Sequence, residues 1–462
     1  MARLAQHALA AHVLMSGHRV ETRFGRKRPS KEAMRLPSGL HALTFAIVAA
    51  VLGRATSAGA AGLMLYETGA PDLGTASAGR AAMAADASTA ASNPAGMTLL
   101  GRTQLMAAGG AIIPVINFER GGQTSVPGGG GGGGNAGVPI PLGGFFYVYR
   151  LSDRVRLGFD AGSNFGLAED YGKQWVGRYY VTKASILTGQ FNPSIAYLVS
   201  DWLSVGAGFS FVVGRLYDEA KINNVLPKVP DGGLEIESWD EAFGGNVGFL
   251  ITPLSKLRLG LTYASPVDFK FGFRPHTTGL GPGLEAGLEK SGALGAKVNL
   301  RVTEPQQMMA SLIFDLTPTL ALMADIGWQN WSQFGQTTLG ISATNQRSIA
   351  VDLHFSDTIH LACGEQYRIA ERWLWSAGFA YDSAPVSEAN RFPTLPLDRN
   401  LRFATGIQYF LNRDITIGAA YEYLNGGNDP FDVHRGPLAG RVQGDFSANF
   451  LNLVGINVNV KL

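Results

Sequence analysis

The chain has 462 residues, of which 16% are charged, with 60 Gly, 10% aromatics and a formal net charge of +2. That balance gives no basic face for nucleic acid. The one cysteine, Cys363, excludes an internal disulfide framework and a cysteine-based zinc site and suits an exported chain, and the eight His show no metal spacing.

The N-terminus reads as targeting sequence. A basic run, "RFGRKR" at Arg23 to Arg28, and Arg35 precede the apolar "LTFAIVAAVLG" from Leu43 to Gly53, and Ala58, Gly59 and Ala60 offer an A-x-A cleavage pattern. Residues 34–60 are therefore expected to be a signal peptide removed after Ala60, with Met34 as the start and 1–33 as a non-native or unstructured extension; a long leader is the alternative. The apolar core is shorter than the ~20 residues of a spanning helix, and no later window is apolar over ~18 residues.

Residues 61–101 are small and turn-rich, "ADASTAASNPAGM" above all. "GRAAMAADAS" is alanine-rich enough for a short helix, with Gly79 and Ser92-Asn93-Pro94 as breakers.

From 102 to 462 the dominant pattern has period two. In "LRFATGIQYF", Leu401, Phe403, Ile407 and Tyr409 oppose Arg402, Ala404, Gly406 and Gln408; "DITIGAAYEY", "WLSVGAGFSFV" and "VGINVNVKL" repeat the theme. Tight polar turns fall at Leu151, Val199, Thr252, Thr317, Ala370 and Leu411. Between them lie long Gly- and Pro-rich segments, Glu119 to Gly144, Glu169 to Leu187, Tyr217 to Asp240, Asp268 to Ala296, Gln333 to Gln346, Ser383 to Arg399 and Asn425 to Asp445. Six short turns joining two strands each, plus one strand at either end, give an all-β, 14-stranded antiparallel transmembrane barrel. Closure matters because lipid tolerates no unpaired backbone edge. Trp202, Tyr263, Trp328, Trp331, Trp373, Trp375, Tyr421 and Tyr423 near strand ends suit aromatic girdles. The glycine run Pro127 to Asn135 has no strand-to-helix context for phosphate binding and reads as a flexible external loop.

"AGLMLYETGAPDLGTASAGRAAMAADASTAASNPAGMTLL", Ala61 to Leu100, resembles the N-terminal hatch of the FadL/TodX family of outer-membrane transporters of long-chain fatty acids and hydrophobic aromatics. The matching residues include Ala61, Gly62, Gly74, Ala78-Gly79, Ala82, Asp86-Ala87-Ser88 and Asn93-Pro94-Ala95-Gly96. "NFGLAEDY", "WVGRYY", "FNPSIAY", "WQNWSQF", "YDSAPV" and "PTLPLDR" follow in order, so the resemblance covers Ala61 to Leu462. One departure is the C-terminal "VKL", where such barrels usually end in an aromatic read by the barrel assembly machinery.

The resemblance implies a monomeric barrel in the outer membrane of a Gram-negative bacterium, its lumen plugged by the hatch and needing no cofactor or metal. Hydrophobic molecules, fatty acids or aromatic hydrocarbons, would be caught outside and leave sideways into the membrane near a kinked third strand. Small inward residues such as Ser204, Gly206, Gly208 and Ser210 leave room for that path. Asn93, Pro94, Ala95, Asp86, Ser88 and Arg80 are the candidate hatch anchors. In the fourth long loop, Leu284, Leu288 and Leu294 are candidates for an apolar capture helix, with Lys270, Arg274, Lys290 and Lys297 as candidate carboxylate partners; a solvated loop is the other reading.

Two other functions stay open on the residues alone. A hydrolase would need a nucleophile with a positioned His; no G-x-S-x-G is present, and His434 beside Asp429 and Asp432 is the one acid–base grouping. An adhesin or structural barrel would require no hatch.

Overall fold

The computed structural model describes residues 64–462 except 65, 67, 69, 164, 226–228 and 343–345. The expected extension 1–33, the signal peptide 34–60 and the cleavage after Ala60 lie outside the described residues.

In chain order the strands are β1 (Gln104–Arg120), β2 (Ile140–Arg150), β3 (Val155–Gly162), β4 (Gly166–Asp170), β5 (Lys183–Ser200), β6 (Leu203–Ile222) and β7 (Gly232–Leu254). Then come β8 (Leu257–Ala264), β9 (Val267–Phe273), β10 (His276–Thr278), β11 (Lys297–Glu304), β12 (Gln307–Thr317), β13 (Leu320–Gln329), β14 (Gln336–Ser342) and β15 (Gln346–Asp352). The last are β16 (Thr358–Ala370), β17 (Trp373–Asp382), β18 (Asn400–Phe410), β19 (Ile415–Asn425), β20 (Phe431–His434) and β21 (Arg441–Lys461).

Fourteen of these close into an antiparallel barrel in the order β1-β2-β3-β5-β6-β7-β8-β12-β13-β16-β17-β18-β19-β21. The seam is a β1–β21 ladder from Gln104↔Lys461 to Arg120↔Gly444, which closes the cylinder. All six tight turns fall where expected, and side chains fold them. Asn412 accepts from the amides of Asp414 and Ile415 at 2.8 Å, and Thr317 from Leu320 at 3.0 Å. Alternation follows the sequence: Phe403 is 45% exposed toward lipid while Arg402 is fully buried in the lumen.

Four expectations change. The sheet continues through much of the presumed loops, because β6 and β7 stay paired out to Ile222↔Gly232, across much of the stretch Tyr217 to Asp240. Chain that keeps its ladder partner has no reason to become loop. Trp331 is no girdle residue: it is fully buried among Phe165, Phe334 and Phe355. The glycine run is an ordered strap. Gly131 exchanges hydrogen bonds with the Trp175 segment, Val176 donating to its carbonyl at 2.8 Å, and Arg178 binds the Pro127 carbonyl at 2.8 Å. Only glycine lets this backbone lie so close to Trp175 and Tyr171: Gly133 has φ +85, and a Cβ there would come within 2.6 Å of the Tyr171 carbonyl. The fourth change is in residues 70–101. The α-helix does not cover the alanine run but starts later, α1 at Thr89–Ser92, because Ala84 takes a left-handed φ of 45 and Arg80–Ala82 forms only a 3-10 turn.

Above the barrel, β9, β11, β14 and β15 form a separate four-stranded flap in the order β15-β14-β11-β9. Two of its four connections to the wall break at a proline, Pro266 between β8 and β9 and Pro305 between β11 and β12. The flap folds inward, with Val267, Phe269, Phe271 and Phe273 buried in the upper core and Phe269 seated against Gly214.

Candidate functional site: lumen, upper cavity and wall gap

Residues 70–100 lie inside the barrel. Their 3-10 turn Pro71–Thr75 touches β16 to β19, Arg80–Ala82 touches β7, β8 and β12, and Pro94–Leu99 touches β3, β5, β6 and β7. Asn93 makes the most direct link. Its backbone is extended, its side-chain oxygen caps the next turn by accepting from Ala95 N at 3.0 Å, and its amide donates to the carbonyls of Ala81 at 2.6 Å and Phe249, on β7, at 3.0 Å. Pro94 and Ala95 rest on the wall at Gly206. Arg80 forms an ion pair with Asp72 inside the same segment. Asp86 and Ser88 bond each other, Ser88 donating from its amide at 2.9 Å and its hydroxyl at 2.5 Å, so they shape a local turn.

Other attachments carry no motif. Gly79 N donates to Asp325 at 2.8 Å, Ala81 N to Ser311 at 3.0 Å, and Thr98 shares a 2.6 Å hydrogen bond with Ser204. Wall glycines make these approaches possible: a Cβ at Gly248 would strike Asn93, one at Gly260 the Ala81 carbonyl, and one at Gly378 the Thr75 carbonyl. Their lumen-facing parity was readable beforehand; their contacts were not.

The described residues ahead of Ala70, namely Met64, Tyr66 and Thr68, are buried. Met64 bridges to Phe165 at the base of β4, and the Tyr66 hydroxyl accepts from Gln329 at 2.7 Å. The Tyr66 ring lies 4.8 Å from His360, which meets Asp382 at 2.7 Å; Asp382 in turn holds Arg402 at 2.9 Å. Charges buried in this way are tolerated only when paired and hydrogen-bonded.

Near Met64, which packs with Ile186 and Phe334, lies a cavity of about 710 Å³ between the flap and the tall strands. Leu216, Ile236, Phe273, Leu300, Phe334 and Leu395 are among its apolar lining, and Arg391, His354, His434 and Arg435 stand in its polar part. Arg391 is committed to Asp398 at 2.8 Å and Asp429 at 3.0 Å. Burial lowers the Arg435 guanidinium to about 10, and it stacks 4.7 Å from the Tyr180 ring. The acid–base grouping at His434 is drawn apart, since Asp432 binds Arg441 at 2.5 Å and Asp429 binds Arg391.

None of Leu284, Leu288, Leu294, Lys270 and Arg274 lines this cavity. The expected helix forms as α2 (Pro282–Lys290), but Leu288 is buried, and Lys270, Arg274, Lys290 and Lys297 are exposed. The cavity-lining residues come from strands and loops far apart in sequence, so no local pattern announced them.

The wall is interrupted at the third stave. The β3–β5 ladder ends at Gly162↔Gln190 and resumes in β4 at Gly166↔Leu187, one residue out of step, a bulge that bends the strand. The β2–β3 ladder stops at Gly144↔Gly162, so Ile140 to Gly143 have no ladder partner on that side among the described residues. Thr68 lies beside Gly162.

Residues 51–461 match the family model described as outer membrane protein transport protein (OMPP1/FadL/TodX). A long-chain fatty acid transport protein of Escherichia coli O6:H1 is 27% identical over 85% of this chain and 93% of its own, and outer membrane protein P1 of Haemophilus influenzae is 27% identical over 82% and 89%. Among solved structures, a Pseudomonas aeruginosa FadL homologue superposes with a TM-score of 0.77 at 22% identity, covering 87% of this chain and all of that one. The Ralstonia pickettii toluene transporter TbuX gives 0.60 at 18%, covering 87% and 99%. The chain thus belongs to the OMPP1/FadL/TodX family of outer-membrane transport proteins.

Proposed function

We propose that the protein carries hydrophobic molecules, long-chain fatty acids or aromatic hydrocarbons, passively across the outer membrane, gated by the hatch (61–101) and released sideways through the wall. The supporting observation is that three features adjoin: an apolar cavity at the outer end, the buried Met64 and Thr68 near it, and the ladder gap at Gly143 and Gly162, beside which Thr68 lies. Each methylene that leaves water for the cavity gains about 0.8 kcal/mol, and a lateral exit spares the molecule from re-entering water. Asn93-Pro94-Ala95 anchors the plug, while Arg80, Asp86 and Ser88 hold its internal shape. The chain acts as a monomer and without enzymatic chemistry, its partners being the hydrophobic substrate, outer-membrane lipid and, during biogenesis, the barrel assembly machinery.

The experiment is uptake of labelled oleate and of toluene by cells carrying the wild type or Leu300→Trp, which fills the cavity. The variant should transport at most about a tenth as fast at equal barrel abundance; unchanged uptake of both compounds would sink the reading.

A further inference from the structure

The lipid-facing surface carries a feature independent of the passage. Across β8, β12 and β13, Ala310 lies in register between Leu261 and Ile326, and Leu312 between Leu259 and Ala324. The two alanines leave a shallow apolar groove of about 520 Å³, whose rim residues Leu261, Leu312 and Ile326 are 45%, 37% and 56% exposed.

The same two staves lead upward through Pro266 and Pro305 into β9 and β11, where the outer face becomes cationic. Lys270 stands directly opposite Arg301, and Arg274 and Lys297 share the exposed face. Asp268 bridges Arg301 at 2.7 Å, whereas the side chains of Lys270, Arg274 and Lys297 have no ion pair among the described residues. Like charges directly opposite on an antiparallel pair repel, and Asp268 with Asp240, which accepts from the Lys270 amide at 2.6 Å, leaves the four cations in excess on this face. From Leu261 to Lys270 is at most roughly 30 Å along the chain, less the tilt of the stave and the break at Pro266. A phospholipid carries one phosphate beside its acyl chains; a glycolipid bearing phosphates on successive sugars carries several at increasing distance from them, which suits four cations set apart from the groove.

We propose that this face binds lipopolysaccharide, with an acyl chain in the Ala310–Ala324 groove and sugar phosphates on Lys270, Arg274, Lys297 and Arg301. The inference requires an outer-membrane barrel but not any particular cargo.

The test is titration of the purified full-length protein in detergent with lipopolysaccharide, read by native mass spectrometry, with dephosphorylated lipopolysaccharide and phosphatidylglycerol as competing arms. A cation near an anionic lipid surface contributes about 1 kcal/mol, or about five-fold, so Lys270→Gln with Lys297→Gln should weaken binding about 25-fold. Asp268→Asn, which removes the one acid bridging Arg301, should tighten it. Ala310→Phe, which fills the groove, should weaken intact and dephosphorylated lipid alike. Heat-modifiable gel migration confirms that each variant is folded. Wild-type affinity in the double variant, equal binding of dephosphorylated lipid, or equal competition by phosphatidylglycerol would each overturn the proposal.

Discussion

Asn93 concentrates in one side chain three hydrogen bonds that elsewhere would need three residues: a cap on its own segment, a tie to Ala81 and a tie to the wall at Phe249. Asn93→Ala forfeits all of them and leaves two buried carbonyls without that donor, at about 1 to 3 kcal/mol each. Uptake should change while barrel abundance and heat-modifiable migration stay as in wild type; identical uptake would remove Asn93 from the gate. Gly248→Ala attacks the same contact from the wall, since its methyl would occupy the position of the Asn93 oxygen. It should displace the plug and raise single-channel conductance in planar bilayers. A second residue-scale expectation concerns Asp429, in the last external loop. Burial pushes its carboxyl well above the usual range, opposed by Arg391. A folded value above the unfolded one means the stabilisation is complete below the unfolded value and is lost as pH rises through the folded one. Proteolytic nicking between Asn425 and Arg435 should therefore be slower at pH 5 than at pH 8, and Asp429→Asn should abolish the difference.

At the scale of elements, period-two patterning made the staves legible and the turns located them, because a wall with lipid on one side and a packed lumen on the other must alternate. The flap escaped the same reading. Val267, Phe269, Phe271 and Phe273 alternate as a membrane stave would, yet the break at Pro266 turns their apolar side inward onto Gly214 and the upper core. Alternation reports that one face is apolar, not which way it points. The hatch helix failed for a different reason: alanine propensity is worth only tenths of a kcal/mol per residue, and contacts of Ala81 and Gly79 with Ser311 and Asp325 override it. Phe269→Ala should loosen the flap by about 3 to 5 kcal/mol, exposing it to external protease while leaving the barrel intact. Protection equal to wild type would show that the flap does not depend on this core.

For the molecule as a whole, Asn93-Pro94 is legible from its motif, but its partners Gly206, Gly248 and Phe249 are not, and neither is the cavity. Those relationships depend on strand register around a closed circuit, which no short window contains. The seam also imposes an order of assembly. Residues 70–100 precede every stave in the chain, yet their contacts run from Met106, which packs with Ala87 and Met97, to Asn459, which receives the Ala87 amide at 3.4 Å. Contacts so distant in sequence are the slowest to form. The segment exported ahead of the barrel therefore has no complete seat until the final stave arrives, and closure of the cylinder and seating of that segment become a single late event in biogenesis.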